Sequence, residues 1–478
     1  MQTEQKERYR LFIGGEYVSA SGEEFFETTD PATGEHLAAV ADGTAADVDR
    51  AVGAAREAFG EWRDVLPAER GRILQRIAER IRDRSEEFAD LECRDQGKPL
   101  SQARGDVETA ARYFEYYAGA ADKLEGKSVP LGNDAVDFTE RVPYGVSAQI
   151  TPWNFPFSLA ARGIAPALAA GNAVVVKPAP TTSLSTVELA ELCRDAGVPE
   201  GALNVVTGGA EAGAALSSHE DVDALTFTGS VPTGRAVMES AAETITPVTL
   251  ELGGKNPAIV FPDADFEQAV HWVTNGILYN AGQVCSAADR ALVHESIYDE
   301  FVDRIVESFE SYEIGPGVED PDIGPLNHEE HLEKVLEYID IGKNEATLET
   351  GGRALDSPGH FVAPTVFSDV DNDMRIAQEE IFGPVLSVIP FSDEEEAIEL
   401  ANDVEYGLTG GVFSSDITRA LSVARSIDAG SIYVNEWFGG GVETPFGGMK
   451  NSGIGREKAL DGLDSYLQTK NISVNLGE

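Results

Sequence analysis

Of the three cysteines in this 478-residue chain, Cys285 alone stands in a sequence that leaves room around a thiol. In "NAGQVCSAADR" Gly282 comes just before it and Ser286 and Ala287 follow, so a tight turn and small neighbours would open the sulfur to a second molecule. Cys93 and Cys193 fall inside helical apolar patterns and read as small buried hydrophobes. A carboxylate able to work with the thiol lies upstream in "LELGGKNP", where Glu251 ends a β-branched run and two glycines follow. Partly desolvated by apolar neighbours, it would hold its proton more tightly than usual and suit the activation of water near neutrality. The plainer alternative is a solvated strand end. "TPWNFPF" sets Asn154 on a loop after a strand, where its amide either donates to a developing oxyanion or merely forms a turn. For a cofactor there is no GxGxxG. "TFTGSVPTGR" offers Gly229, Ser230 and Gly234 as strand, glycine turn and helix start, an arrangement that presents N–H groups to a pyrophosphate. Lys177 ends the strand of "VVVKPAP", at the sheet edge where a ribose or phosphate would lie.

These side chains need rigid elements to hold them. "TAADVDRAVGAAREAFGEW" places Val48, Val52, Ala55 and Phe59 at helical spacing, and "PAERGRILQRIAERIRDRSEEFADL" does the same with Ile73, Ile77, Ile81 and Phe88. From about residue 143, β-rich runs alternate with helices four times, which predicts βαβ units and a parallel sheet whose carboxyl edge carries the loops. A second alternation begins near "TPVTLELGGKNPAIVF" and predicts another α/β domain. "DKLEGKSVPLGNDAVDFTERV" reads as an extended ribbon, and the tail "DGLDSYLQTKNISVNLGE" ends in a short strand. Exposed edges of this kind need a partner, so both segments are candidates for a subunit interface.

The composition narrows the partners. Asp and Glu number 83 against 36 Lys and Arg, a formal net charge of −47, so nucleic acid and anionic membrane surfaces would repel the protein. The acids are spread along the chain, as expected either of an acidic cytosolic enzyme or of a surface adapted to molar salt, where screening shortens self-repulsion to about 3 Å. Three widely separated cysteines form neither a disulfide framework nor a zinc site. The N-terminus lacks the apolar core of a signal peptide, and the longest apolar stretch is interrupted by Pro, Gly and Asn. The expectation is a reducing, cytoplasmic location.

Taken in order, "PWNFP", "KPAP", "FTGSVPTG", "LELGGKNP", "GQVCSA", "EEIFGPV" and "PFGGMKNSGIGRE" make the chain resemble the non-acylating aldehyde dehydrogenase superfamily over essentially its full length. The resemblance implies two doubly wound α/β domains with a small β oligomerisation arm. Residues 1–121 and 142–250 would form a Rossmann-type dinucleotide-binding domain, 251–462 the catalytic domain, and 122–141 with 463–478 the arm of a homodimer or homotetramer. It implies Cys285 as nucleophile, Glu251 as general base, and Asn154 with the Cys285 N–H as oxyanion hole. Trp153, Lys177, Gly229, Ser230, Glu380 and Phe382 match cofactor contacts, and Glu457 matches a residue of proton relay in some members.

Two departures qualify the pattern. Pro180 stands where many NAD-preferring members carry a glutamate that repels a 2′-phosphate, so NAD and NADP are both acceptable. Gly163 stands where a relay lysine is common. Arg162 matches a position at the substrate entrance that, in some members, clamps a distal carboxylate. That favours succinate semialdehyde or 2-oxoglutarate semialdehyde as substrate. Trp437 and Phe438 would suit an apolar or cationic aldehyde, which keeps betaine aldehyde and broad aliphatic or aromatic specificity as rivals. A thiol esterase and a catalytically silent relative are the readings from other classes. The first would not need "FTGSVPTG" with Lys177, and the second would be expected to lose the nucleophile or the base.

Overall fold

The computed structural model describes residues 7–477. Its first sheet has eight strands, in the order Gly453–Ile454, Val248–Glu251, Ala224–Thr228, Val146–Ile150, Ala173–Lys177, Leu203–Val205, Leu11–Ile13 and Glu16–Val18. The five from Val248–Glu251 to Leu203–Val205 run parallel. Chain order proceeds outward from Val146–Ile150 through Ala173–Lys177 and Leu203–Val205, then returns to the other side for Ala224–Thr228 and Val248–Glu251. The sheet is therefore doubly wound, and its winding reverses between Val146–Ile150 and Ala224–Thr228. Loops leaving the carboxyl ends of those two strands diverge to opposite faces and leave a crevice.

Strand Ala173–Lys177 shows why the sheet is sandwiched. Alternate side chains point to opposite faces, and Val174 and Val176 enter a core formed with helices Pro67–Asp83, Leu100–Ala120, Pro156–Ala170 and Leu184–Ala196. Ala173 and Val175 enter a second core against helix Ala45–Asp64. All four are fully buried, and each valine contributes about 1.5–3 kcal/mol of transfer free energy. Val48, Val52 and Ala55 are buried as their spacing predicts, with Phe59 packed at the edge of that core. The single helix expected over Ile73–Phe88 is two helices, Pro67–Asp83 and Ser85–Gln96, separated at Arg84 (φ −109°, ψ 19°). Asp83 and Ser85 flank the break, and their short polar side chains compete with helical backbone bonds.

The second sheet has seven strands, in the order Thr347–Thr350, Thr365–Ser368, Val385–Phe391, Arg290–His294, Pro257–Val260, Thr409–Phe413 and Ser431–Val434. Only the first pairing is antiparallel. The ribbon Ala135–Pro143 pairs antiparallel with the tail strand Leu467–Asn475 over nine residue pairs, with Ser128–Val129 on its other side. Among the described residues, no helix is long and apolar enough to cross a membrane.

Candidate active site

One cavity of about 430 Å³ opens at the crevice of the first sheet. Trp153 and Asn154 reach it from the loop after Val146–Ile150, Gly229 and Ser230 from the turn after Ala224–Thr228, and Glu251 from the end of the neighbouring strand. The second sheet supplies the opposite wall. Cys285 and the pair Glu380 and Phe382 lie on loops that precede strands Arg290–His294 and Val385–Phe391, and Phe438 follows Ser431–Val434.

Cys285 is half-buried and faces the cavity, whereas Cys93 and Cys193 are packed in cores. Its loop is held from below by Asn256, whose Nδ2 donates to the Cys285 carbonyl at 2.9 Å and to the Ala287 carbonyl at 2.8 Å. Gly254 makes that approach possible, because a Cβ there would sit 2.5 Å from the Cys285 carbonyl oxygen. The turn before the cysteine contains Asn280 and Ala281 at φ 49° and 53°, followed by Gly282 at 74°, a left-handed run that non-glycine residues adopt only under constraint. Burial pushes the Cys285 thiol up to about 12, with Arg162 opposing and Glu251 and Glu380 reinforcing the shift.

Glu251 is 3% exposed, and neither of its carboxylate oxygens accepts a hydrogen bond from a described residue. Burial, and then the like charge of Glu457, hold its pKa well above the ordinary glutamate value of 4.5, against the pull of Arg162 and Arg456. A carboxylate so placed binds a proton readily, and both its oxygens are left without a hydrogen-bond partner among the described residues. Asn154 donates one Nδ2–H to the Gln283 carbonyl at 2.9 Å, which fixes the amide and leaves its second N–H unspent. Below it, the fully buried Lys98 donates to the Asn154 carbonyl at 3.0 Å, pairs with Asp106 and lies 4.0 Å from the Phe155 ring centroid.

At the other end, Ser230 caps helix Val231–Ala242, and Gly229 keeps its backbone bare because a Cβ would meet the Phe227 ring at 2.5 Å. Glu380 accepts from the Gly254 N–H at 3.1 Å, and burial lifts its pKa to about 7. Phe382 is held at φ 63° while its carbonyl accepts from His331 Nε2 at 2.7 Å, and Trp153 packs on both rings. Among the described residues, no group of three or more His, Cys, Asp or Glu is placed to hold a metal.

A thiol, an unpartnered buried carboxylate and a fixed amide donor thus face one cavity whose far wall begins a helix. The model of the aldehyde dehydrogenase family matches residues 17–472. The chain belongs to this family. It is similar over 98% of its length to aldehyde dehydrogenase family 2 member C4 of Arabidopsis thaliana, at 45% identity and 95% of that protein. Aldehyde dehydrogenase 1 of Tanacetum cinerariifolium is 47% identical over 97% of this chain and 94% of its own. Among solved structures, betaine aldehyde dehydrogenase of Staphylococcus aureus in complex with NAD+ superposes with TM-score 0.97 at 41% identity, covering 98% of this chain and 95% of that one. The NAD+ complex of aldehyde dehydrogenase from Bacillus cereus gives 0.98 at 43%, covering 99% and 98%.

Two expected contacts of this aldehyde dehydrogenase are engaged elsewhere, while Lys177 ends its strand as expected. The Arg162 guanidinium lines the cavity, but its Nε and Nη2 are taken by Glu457 and its plane lies 5.0 Å from the Phe446 centroid. Burial disfavours its charge, yet Glu457 together with Tyr113, Glu251 and Cys285 more than compensates and the net shift is upward. Trp437 does not reach the cavity. It is 1% exposed and donates to the Ser286 carbonyl at 2.9 Å, so it supports the Cys285 loop from behind. Lys177 lies outside the cavity lining, 6% exposed, with burial lowering its pKa to about 8. A Cβ at position 163 would sit 2.6 Å from Gln149 Oε1, so any side chain there would require the Gln149 amide to shift. Asn256, His331 and Lys458 were not among the expected residues. Asn256, next to Lys255 in the motif that contains Glu251, was the one with a legible signal.

Proposed function

We propose that this protein oxidises an aldehyde to a carboxylic acid, using Cys285 as nucleophile and NAD as electron acceptor. The observation that carries the reading is the sharing of one cavity by the Cys285 thiol and a Glu251 carboxylate without partners. Asn154 Nδ2–H and the Cys285 N–H receive the oxyanion when the sulfur adds to the aldehyde carbon. When bound, NAD would supply the two-electron acceptor needed for the hemithioacetal on Cys285 to become a thioester. The residues present fit such a cofactor. Gly229 and Ser230 open a helix of 12 residues towards a pyrophosphate, and Glu380, Phe382 and Trp153 wall the nicotinamide end. Glu251 then takes a proton from water as that water adds to the thioester, the S–C bond breaks, and the acid leaves with the thiolate restored. Pro180, which opens the turn after Lys177, brings no carboxylate to repel a 2′-phosphate, so NADP is accepted as well.

The substrate class we favour is a semialdehyde bearing a carboxylate, such as succinate or 2-oxoglutarate semialdehyde. Lys458 lines the same cavity as Arg162 without an acid partner among the described residues, and its charge disfavours a quaternary ammonium. Betaine aldehyde is the second reading. It is supported by the likeness to the S. aureus enzyme and by three aromatic rings along one wall, Phe155 stacked on Tyr279 and Phe438 tilted against Tyr279. The same proposal includes a nucleotide domain of 1–121 and 142–250, a catalytic domain of 251–462, and an arm of 122–141 and 463–478 that joins subunits of a cytoplasmic homo-oligomer.

The test is absorbance of the reduced nicotinamide with NAD or NADP and a panel of aldehydes. Cys285→Ala is expected to lower kcat by at least about a thousandfold. Glu251→Gln should give one burst of reduced cofactor and then stall at the thioester. Steady multiple turnover in either variant would refute the assignment.

A further inference from the structure

Lys458 shares the cavity with Arg162 but has no carboxylate of its own. The charged groups around it are already matched: Glu457 is bound to Arg162, and Glu443 is bound to Arg112. Asp106, on the same cavity, belongs to Lys98. The Lys458 ammonium lies 5.7 Å from the centroid of Phe446, the ring that also carries Arg162, and it makes no hydrogen bond or ion pair with a described residue. Cation–π contact with one ring only partly replaces the water such a group loses.

The backbone beneath it is fixed in an unusual shape. Lys458 and Ala459 are consecutive non-glycine residues at φ 63° and 49°. Glu457 exchanges both backbone hydrogen bonds with Phe446, at 2.7 and 2.8 Å, and the Lys458 carbonyl accepts from Gly462 at 2.8 Å. Ala459 donates to Val442 at 2.8 Å, and the Tyr117 hydroxyl donates to the Ala459 carbonyl at 2.9 Å. Left-handed pairs of this kind persist where surrounding bonds over-determine them, and they cluster at sites that present a side chain to a ligand.

We infer that Lys458 is the anion-recognising residue of the substrate end, and that the preferred aldehyde carries a distal carboxylate that pairs with its ammonium. The inference rests on the reading of Cys285 as the nucleophile of an aldehyde oxidation. It moves carboxylate recognition from Arg162, whose guanidinium is engaged by Glu457, to the one lysine of that wall left without an acid. Burial, and then the neighbouring charge of Arg162, lower the Lys458 pKa to about 8 despite Glu443 and Glu457. Anion recognition therefore weakens as pH rises through that value.

The experiment measures kcat/KM for succinate semialdehyde and for butanal with the full-length wild type, Lys458→Met and Lys458→Arg. The ratio of the two values is expected to fall at least about tenfold in Lys458→Met, through KM, and to be largely restored in Lys458→Arg. In the wild type the same ratio should decline as pH is raised through about 8. Turnover of both aldehydes with the same ratio in all three proteins would overturn the role of Lys458 alone. Absence of turnover of either aldehyde by the wild type would overturn the parent reading and this one with it.

Discussion

Two buried carboxylates and one buried guanidinium meet beside the thiol, and their sharing of charge sets the chemistry of Glu251. Glu457 holds Arg162 directly, so that pair is close to neutral, and Glu251 is left with burial and a residual like charge that favour its protonated form. As the proposed base, Glu251 must be ionised to act, so activity should rise with pH as it loses its proton, well above the usual glutamate range. Glu457→Gln removes the like charge and releases Arg162, and the acid limb of kcat/KM is expected to move to lower pH. Arg162→Met removes the cation bound to Glu457 and the larger of the two cationic pulls on Glu251, and the limb should move to higher pH. Profiles that shift together in one direction would contradict this account. The identities of Cys285 and Glu251 were readable because each stands in a short segment whose glycines and small residues declare a close approach. The partner of Arg162 was not readable, because Glu457 is 295 positions away and reaches it only through packing.

Among the elements, the four alternations from residue 143 correspond to four of the five parallel strands of the first sheet; the fifth, Val248–Glu251, begins the segment expected to open the second alternation but pairs with Ala224–Thr228 instead. Period and turn residues are local properties, which is why strand and helix order could be read in advance, while the break at Arg84 turned on a weak preference of two flanking polar residues. The ribbon and tail pair as two of the three strands of a small sheet, with Val136 directly opposite Val474 and both about 40% or more exposed. Exposed valines on a thin sheet are a surface that seeks cover. Val136→Lys combined with Val474→Glu keeps an attractive cross-strand pair while removing the apolar patch. Sedimentation velocity is expected to show smaller assemblies for this variant, and an unaltered mass would refute the arm as the subunit contact.

For the whole molecule, a net charge of −47 dominates. Many surface acids are joined to arginines, as in Arg82 with Glu108 and Glu115 or Arg304 with Glu267 and Glu307, but exposed pairs of this sort contribute about 0–1 kcal/mol each and leave most acids unmatched. Self-repulsion among them opposes the compact state in dilute buffer and is screened within about 3 Å in molar salt. We therefore expect the Tm to rise by at least about 5 °C between dilute buffer and molar KCl. A Tm that is flat or falls with salt would remove the case for a salt-adapted surface.

Residue type and near-neighbour spacing were enough to single out the proposed nucleophile and base, the glycine turn and the alternation of strands and helices, because each depends on forces acting within a turn or a strand. Charge pairing obeyed a different rule. Which acid neutralises Arg162, why Trp437 lies behind the Cys285 loop, and why Lys458 stands without a partner are set by segments far apart in the chain that come within hydrogen-bonding distance only after both sheets and their helices have packed. Electrostatic energy in a desolvated cavity depends on those final distances, and no local pattern encodes them.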